Sequence, residues 1–206
     1  MKIKLEQVGK RYHQHWIFKG INTSFESGQR IAVLGTNGSG KSTLLRILAG
    51  MQHASKGQLS YSTQSGKTLP SEKLFQHLSY CAPAMDLVEE LSLEELLDFH
   101  FTFKKIKGNH TPKSILDALD MYAIRNKTIH EFSSGMKQRV KLAQAFFSDT
   151  SLLILDEPCS NLDQQGVALY HQWLNSLTEG RLTIIGSNDP REYPDSDQQL
   201  HITDYQ

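Results

Sequence analysis

Residues 35–43 constrain the fold of this chain more than any other segment. They read GTNGSGKST and satisfy the pattern G-x-x-x-x-G-K-[ST]. The apolar run IAVL at 31–34 precedes them, as expected of a strand buried on both faces, and a leucine-rich stretch with helical spacing follows. Strand, glycine loop and helix in this order predict a phosphate-binding loop, here called the P-loop, in an α/β fold.

The residue types in the P-loop explain the expected chemistry. Glycines let the backbone turn so that successive N–H groups converge on phosphate oxygens, and the following helix adds its positive N-terminal end. Lys41 supplies a charge for the β- and γ-phosphates, and the Ser42 hydroxyl can complete a Mg²⁺ shell. GTPases and small-molecule kinases share this motif, so by itself it predicts only a nucleoside triphosphate. The predicted nucleotide-binding residues are Gly35, Thr36, Asn37, Gly38, Ser39, Gly40, Lys41, Ser42 and Thr43.

Length and charge exclude several classes of protein. A chain of 206 residues can bury one sizeable core, with room for a subdomain but not for two complete nucleotide-binding domains. Lys+Arg and Asp+Glu number 22 each, so no nucleic-acid partner is expected. No apolar stretch approaches the ~18 residues that a membrane-spanning helix needs. A role at a membrane would therefore require another chain.

The apolar spacing predicts three regions along the chain. The first thirty residues read as short strands, and a helix carrying Leu44, Leu45, Ile47, Leu48 and Met51 follows the P-loop. Residues 84–148 read as helical, with a capping box at Ser92, a Thr111-Pro112 start and a third helix after Ser133. The stripe of the second helix is Ile115, Leu116, Leu119 and Tyr122. Strands at 152–155, 182–185 and around Leu200, with a helix at 167–177, complete an α/β pattern.

These regions predict a single domain with an inserted helical part. The nucleotide-binding α/β core comprises residues 1–83 and 149–206, and residues 84–148 form the helical subdomain. The core is expected to contain a mainly parallel sheet and an N-terminal antiparallel β part.

Three further segments resemble motifs of the ABC ATPase family. Residues 132–139 (FSSGMKQR) are similar to its signature, usually written LSGGQ. Residues 152–158 (LLILDEP) resemble its Walker B strand, and residues 160–163 (SNLD) resemble its D-loop. The order and spacing resemble the family from near Ile3 to about Asp189, which is almost the whole chain. The resemblance implies a P-loop NTPase fold with a RecA-like sheet.

The resemblance also implies roles for individual residues, with ATP and Mg²⁺ as cofactors. Asp156 joins Ser42 as a metal ligand, and Glu157 orients or deprotonates the attacking water while Lys41 stabilises the phosphates. ATP is expected to lie between the P-loop of one subunit and the signature of another, in a homodimer or heterodimer. The implied signature residues are Ser133, Ser134, Gly135 and Met136.

The adenine ring is expected to stack on an aromatic side chain before the P-loop. Tyr12 stands at about the distance from Lys41 at which the family places such a residue. His13, His15 and Trp16 are close alternatives.

Two positions depart from the family pattern. Pro83 stands about where the family carries a glutamine that links Mg²⁺ and water to the transport subunit, so that link must be absent or replaced. Glu89 or Glu90 could substitute only if the loop is rebuilt. Asn188 stands where the family usually has histidine; it can donate a hydrogen bond to the γ-phosphate but cannot carry a positive charge. Because Glu157 is retained, hydrolysis is still expected, with Glu157, Lys41 and Asn188 as catalytic residues, and the two departures predict slow turnover.

The sequence thus predicts an ATP-binding and ATP-hydrolysing subunit of an ABC transporter. Its partner would be a separate transmembrane permease subunit, and its location the cytoplasmic face of the cell membrane, held there peripherally. The candidate contacts with that partner are Met85, Leu87, Val88 and Phe99. The alternatives are a soluble ABC-type switch or assembly ATPase, and a catalytically weak subunit paired with a more active one.

Overall fold

The computed structural model describes residues 1–206, which form nine strands and five α-helices. The strands are β1 (Lys2–Tyr12), β2 (His15–Glu26), β3 (Arg30–Leu34), β4 (Lys56–Ser62), β5 (Thr68–Leu69), β6 (Leu78–Cys81), β7 (Leu152–Asp156), β8 (Leu182–Gly186) and β9 (Gln198–His201). The helices are α1 (Lys41–Leu48), α2 (Leu93–Phe103), α3 (Pro112–Ala118), α4 (Ser134–Phe147) and α5 (Gln164–Ser176). Short 3₁₀ turns connect several of them.

The N-terminal sheet is antiparallel, with strand order β2-β1-β4-β5. Its first two strands are 11 and 12 residues long, so the prediction of several short strands was wrong. The pairing of β1 with β2 shifts register between Leu5 and Val8 and again before Lys10. Such bulges interrupt the apolar alternation without ending the strand, which is why the sequence suggests breaks.

The second sheet is entirely parallel, with strand order β6-β7-β8-β3-β9. All five residues of β7 and of β8 are buried, as their continuous apolar runs predict. Because β8 lies between β3 and β7, the loops that leave the carboxyl ends of these three strands share one edge of the sheet. This edge carries the P-loop, and the parallel sheet with its antiparallel companion confirms the predicted fold class.

Two hydrophobic cores hold the layers together. The first packs the antiparallel sheet and α1 against one face of the parallel sheet, with Phe25 and Leu44 fully buried. The second packs residues of α2, α3 and α4 against the other face, where Leu97 and Phe146 meet residues of β7 and α5. Because this second core draws on both parts of the chain, the helical block does not have a core of its own.

Helix starts follow the predicted capping residues. The Ser92 hydroxyl accepts from the Glu95 N–H at 3.3 Å while the Glu95 carboxylate accepts from the Ser92 N–H at 2.9 Å, which completes the capping box of α2. Thr111 caps α3 ahead of a proline at its first position, and Ser133 caps α4. The predicted helix at 167–177 begins three residues earlier, at Gln164, because the Asp163 side chain caps it.

Two of the predicted helical stripes extend beyond the ends of their helices. Met51 lies outside α1 and is 56% exposed, because Gly50 takes a positive φ of 69° and ends the helix there. Tyr122 is not part of the α3 stripe. Asp120 adopts φ 57°, which closes α3 and places Tyr122 in a separate 3₁₀ turn.

A buried arginine satisfies the carboxyl end of α4. Arg181 is 2% exposed, and its guanidinium donates to the carbonyl oxygens of Phe146 at 3.0 Å and Ala145 at 3.3 Å. It also donates to the Thr150 hydroxyl at 2.6 Å, and burial lowers the pKa of Arg181 to about 10. These bonds fix the signature helix to the start of β8, because the last carbonyls of a helix have no partner within it.

Candidate nucleotide site

The P-loop is already shaped around its lysine. The Lys41 ammonium donates to the carbonyl oxygens of Gly35 at 2.7 Å and Thr36 at 3.2 Å. Gly40 precedes α1 with φ 104°, and a Cβ there would lie 2.4 Å from the Ile17 side chain. Only glycine suits this position, because both the backbone angle and the contact exclude a larger residue.

A pocket of about 200 Å³ opens over the P-loop. The Ser39 hydroxyl is buried in this loop without a hydrogen-bond partner. A buried polar atom without a partner is unfavourable unless another group supplies the bond. The residues lining the pocket are Asn37, Gly38, Gly40, Lys41, Ser42, Thr43 and Glu157.

Asp156 ends β7 beside this pocket. It is 4% exposed, and its Oδ1 atom has no hydrogen-bond partner. Burial raises the pKa of Asp156; the Ser42 hydroxyl opposes the rise, and the charge of Glu157 adds to it. A buried carboxylate with one oxygen free of hydrogen bonds, next to a serine hydroxyl, has the chemistry of a Mg²⁺ ligand pair, so the residues present fit that ion.

Glu157 has a strained backbone at this edge of the sheet. Its φ is 43°, in the left-handed region, and its N–H donates to the Gly186 carbonyl at 2.8 Å. This bond ties the residue to the neighbouring strand, and its side chain lines the phosphate pocket. Side chains held in such backbone conformations cluster at functional sites, because the surrounding structure must hold them in place.

Asn188 lies in the loop after β8 and contacts the P-loop directly. Its Nδ2 donates to Asn37 Oδ1 at 2.8 Å. Both residues line a second pocket, together with Thr36 and Tyr193. The amide is therefore positioned beside the phosphate loop, but it already has a partner there.

Tyr12 ends β1 close to the start of α1. Its hydroxyl accepts from Gln52 at 2.6 Å, and this bond together with one from Thr43 lowers the pKa of Tyr12. Its ring is 45% exposed. Among the alternatives, Trp16 packs toward Gly9 and stacks with Arg11. The bonds to Gln52 and Thr43 place Tyr12 beside α1, and its role toward the adenine ring stays a prediction.

The signature segment lies apart from this pocket. Ser133 caps α4 by accepting from the Met136 N–H at 3.2 Å, and Ser133 and Ser134 are both exposed. Gly135 lies against the D-loop, where a Cβ would be 2.7 Å from the Asn161 carbonyl oxygen. No signature residue lines either pocket at the P-loop, so the structure does not bring the predicted halves of the site together within one chain.

Pro83 is exposed and offers only its carbonyl oxygen, which accepts from Lys141 at 3.1 Å. Neither proposed substitute reaches the phosphate pocket: Glu89 pairs with Lys137, and Glu90 is exposed. The polar side chain that the resemblance leads one to expect at this place is therefore missing.

Sequence reasoning missed two residues that shape the site. Gln138 is 1% exposed, and its amide donates to the Pro158 carbonyl at 2.8 Å, which joins α4 to the segment after β7. Its position in the signature-like run is the only signal, since a glutamine in a helix normally faces water. Ile17 covers Gly40, and nothing in the sequence pairs the two.

Comparison with known proteins defines the class. The family model described as ABC transporter matches residues 18–160. The energy-coupling factor transporter ATP-binding protein EcfA1 of Thermotoga maritima is 33% identical over 211 residues, which cover 98% of this chain and 79% of the relative. This chain belongs to the ABC transporter ATP-binding family.

Other similarities extend this result. The sulfate/thiosulfate import ATP-binding protein CysA 2 of Agrobacterium fabrum is 28% identical over 204 residues; these cover 93% of this chain but 58% of that relative. The dimeric structure of a bacterial ABC transporter cassette superimposes with a TM-score of 0.81 at 22% identity, covering 97% of this chain and 94% of that one. At this identity the superposition shows a shared fold. No helix of the chain is both long and apolar enough to cross a bilayer.

Proposed function

We propose that this chain hydrolyses ATP and thereby powers a transporter whose membrane-spanning part is a separate chain. The observation that carries the proposal is the arrangement at one edge of the parallel sheet. The Lys41 ammonium, already held by the Gly35 carbonyl at 2.7 Å, shares that edge with Asp156 and Glu157. A phosphate loop beside two carboxylates of different environment is suited to cleaving a phosphoanhydride.

Asp156 and Glu157 would have different roles, one in metal binding and one in proton transfer. Asp156 and Ser42 would hold Mg²⁺, which neutralises charge on the β- and γ-phosphates when it is bound. Glu157, less buried and fixed through its backbone, would accept a proton from the attacking water. Asn188 would add a neutral hydrogen bond to the γ-phosphate after leaving Asn37.

A second subunit would complete the site. Ser133 and Ser134 are exposed at the start of α4 and outside the pocket of their own chain. Their hydroxyls and the helix N-terminus would contact the γ-phosphate bound by a partner subunit. The bacterial ABC transporter cassette that shares this fold is dimeric, which supports a head-to-tail homodimer or heterodimer here.

The membrane partner would dock on the groove between the sheet edge and the helical block. This groove has a volume of about 250 Å³, and its lining includes Met85, Leu87, Met51 and Phe75. Met85 and Val88 are 40% and 44% exposed, and Phe99 on α2 is 51% exposed. Exposed apolar side chains in and around a groove are typical of an interaction surface. Docking there would hold the chain peripherally at the cytoplasmic face of the cell membrane.

The test of this proposal is Mg²⁺-dependent phosphate release from ATP. Glu157→Gln is expected to lower kcat by about 10²–10⁴-fold while ATP binding persists. The matched control is Glu179→Gln, because Glu179 lies in the turn before β8, at the opposite end of the sheet. If wild type and Glu157→Gln were equally inactive, alone and with a membrane partner, the chain would not be the hydrolysing subunit.

A catalytically weak subunit is the second candidate. It is favoured by Pro83, which has no polar side chain, and by Asn188, whose amide is already bonded to Asn37. In that case ATP binding and dimerisation would persist, and turnover would appear only when a second, different ATPase subunit is added. Consistent failure to co-purify with any multi-span membrane protein would instead favour a soluble assembly ATPase.

A further inference from the structure

The loop between β6 and α2, residues 82–91, is held by a lysine from the signature helix. Lys141 projects from α4, and its ammonium donates to the carbonyl oxygens of Pro83 at 3.1 Å, Met85 at 3.2 Å and Ala82 at 3.5 Å. An ammonium has three donors, and this geometry directs all three at one short stretch of backbone. The stretch includes the proline that stands where the family pattern has glutamine.

A second lysine holds the far end of the same loop. Lys137 lies one helical turn before Lys141, so both project from one face of α4. Its ammonium pairs with Glu89 Oε1 at 2.5 Å. The Glu89 carbonyl and its other carboxylate oxygen accept from the backbone and ring of His130, at 3.0 and 3.3 Å. Every one of these bonds leads to the helical block.

Other contacts also hold the 82–91 loop: the Ile129 N–H donates to the Leu91 carbonyl at 2.9 Å, and Leu87 and Leu91 pack against the second core. The loop contains no regular secondary structure, and within it only one backbone hydrogen bond forms, from the Met85 N–H to the Ala82 carbonyl at 3.2 Å. None of its hydrogen bonds reaches the P-loop, Asp156 or Glu157. The two lysines therefore bind the loop to α4, the helix that begins with the signature, and the turn before α4 adds the bonds of Ile129 and His130.

We infer that Lys137 and Lys141 are positioning residues that replace the missing glutamine link by tying the 82–91 loop to the signature helix. A glutamine side chain would couple this loop to the nucleotide of its own chain. The two lysines couple it instead to the helix whose N-terminus meets the partner's nucleotide. Met85 and Leu87 of the proposed docking groove belong to this loop, so the membrane partner would sense movement of α4 and not the γ-phosphate directly.

The inference rests on the proposed function for the docking groove and for the partner's nucleotide at the start of α4, and the tether itself can be tested without nucleotide. The experiment is hydrogen exchange on the full-length chain, followed by mass spectrometry. In the Lys137→Met/Lys141→Met double variant, exchange at the Met85, Ile129 and His130 amides, whose N–H groups bond to carbonyl oxygens of the loop, is expected to rise about tenfold relative to wild type, while exchange in α2 and α3 is unchanged. Methionine retains the length of the side chain and removes the donors.

Three further variants make the result specific. Lys141→Arg keeps a cationic donor and should preserve most of the protection against exchange. Lys141→Met alone should raise the exchange rate about threefold, which is half of the tenfold effect of the double variant on a logarithmic scale. Lys127→Met, at an exposed lysine whose ammonium has no hydrogen bond or salt bridge, should leave exchange unchanged. If exchange in Lys141→Met and in the double variant is no faster than in Lys127→Met, the tether does not exist. The single variants decide the matter should the double variant be unfolded.

Addition of Mg²⁺-ATP separates the two proposals. In wild type, protection of α4 and of the 82–91 loop should change together, and in the double variant only that of α4 should change. A wild-type chain that shows loop protection but no response to nucleotide would overturn the proposed function and leave the tether standing. A loop that still follows α4 in the double variant would overturn the tether.

Discussion

Replacing Asp156 with asparagine is expected to stabilise the nucleotide-free protein and to remove about half of the stabilisation that Mg²⁺-ATP gives. The carboxylate is 4% exposed, its Oδ1 atom has no partner, and burial raises its pKa. The carboxylate packs closely against Gly186: a Cβ atom added to Gly186 would lie 3.3 Å from Asp156 Oδ1. An amide of nearly the same shape fits this space and carries no charge.

The magnitude follows from the unpartnered oxygen. A buried acceptor left without a hydrogen bond costs about 1–3 kcal/mol, and a charged one costs more. Asparagine keeps one oxygen but removes the charge, so we expect a gain of about 1 kcal/mol in the free energy of unfolding. For a domain of 206 residues this raises Tm by about 2–4 °C. Functional residues are often held at such a cost to stability.

The effect should depend on pH in a defined direction. Because the pKa of Asp156 is raised in the folded state, the stability associated with its neutral form is fully present below the unfolded pKa of about 3.9. That stability is lost as the pH rises through the higher folded pKa. The difference between wild type and Asp156→Asn should therefore grow from about pH 4 toward neutrality and then become constant.

Thermal and urea unfolding, each with and without Mg²⁺-ATP, provide the assay. At a ligand concentration 100 times its Kd, wild type should gain about 2.7 kcal/mol; a variant that binds tenfold more weakly should gain about 1.4 kcal/mol. Asp98→Asn, at an exposed position on α2, is the matched control and should change neither quantity. The reasoning would be refuted if nucleotide-free Asp156→Asn were less stable than wild type at neutral pH, or if both proteins gained equally from Mg²⁺-ATP.

Three other substitutions probe separate parts of the structure. Arg181→Met leaves two carbonyl oxygens at the end of α4 without partners, so the free energy of unfolding, measured in urea, should fall by about 2–4 kcal/mol. Gly135→Ala places a Cβ 2.7 Å from the Asn161 carbonyl and should displace the D-loop, lowering the ATPase rate about tenfold while the thermal midpoint stays within a few degrees of wild type. Tyr12→Leu should weaken ATP binding about tenfold in calorimetry, because base–aromatic stacking contributes about 1–3 kcal/mol.

Each of these has its own contrary outcome. Wild-type stability of Arg181→Met would mean that solvent replaces the lost bonds. An unchanged ATPase rate in Gly135→Ala would show that the D-loop contact does not affect the site. Inorganic tripolyphosphate, which lacks a base, is the control ligand for Tyr12→Leu: equal weakening of both ligands would assign the effect to the P-loop and not to stacking.

Much of the fold could be predicted because its signals are local. Strand β7 reads as a continuous apolar run because both of its faces are buried, and Ser92 and Thr111 start helices because their side chains satisfy free N–H groups within three residues. The end of α3 was missed for the opposite reason. Asp120 adopts the left-handed conformation that closes the helix, but aspartate is equally common on helix surfaces, so its presence does not indicate an end.

Part of the candidate site could likewise be predicted from local signals, and part could not. The positions of Lys41, Asp156 and Glu157 relative to one another follow from strand order, since the P-loop and the two carboxylates each come at or after the carboxyl end of a strand. The hydrogen bond between Asn188 and Asn37 joins residues that are 151 positions apart in the sequence, and the bond from Lys141 to Pro83 joins residues that are 58 apart. In each case an irregular segment, and not a helix or strand, brings the two residues together. Contacts of this kind depend on the path of irregular segments, which apolar spacing does not encode.

The two carbonyl bonds of Lys41 have a consequence for how ligand is admitted. An ammonium carries three N–H groups, and the loop occupies two of them before any ligand arrives, so one remains for a phosphate oxygen. The side chain is thus ordered during folding, and an incoming phosphate does not bear the rotamer entropy of about 2 kcal/mol that a free lysine would lose. An arginine could not take this role, because its planar fork cannot direct two donors backward and one forward. The side chain of Lys41 is therefore in place before the nucleotide binds, and binding requires no rearrangement of this lysine.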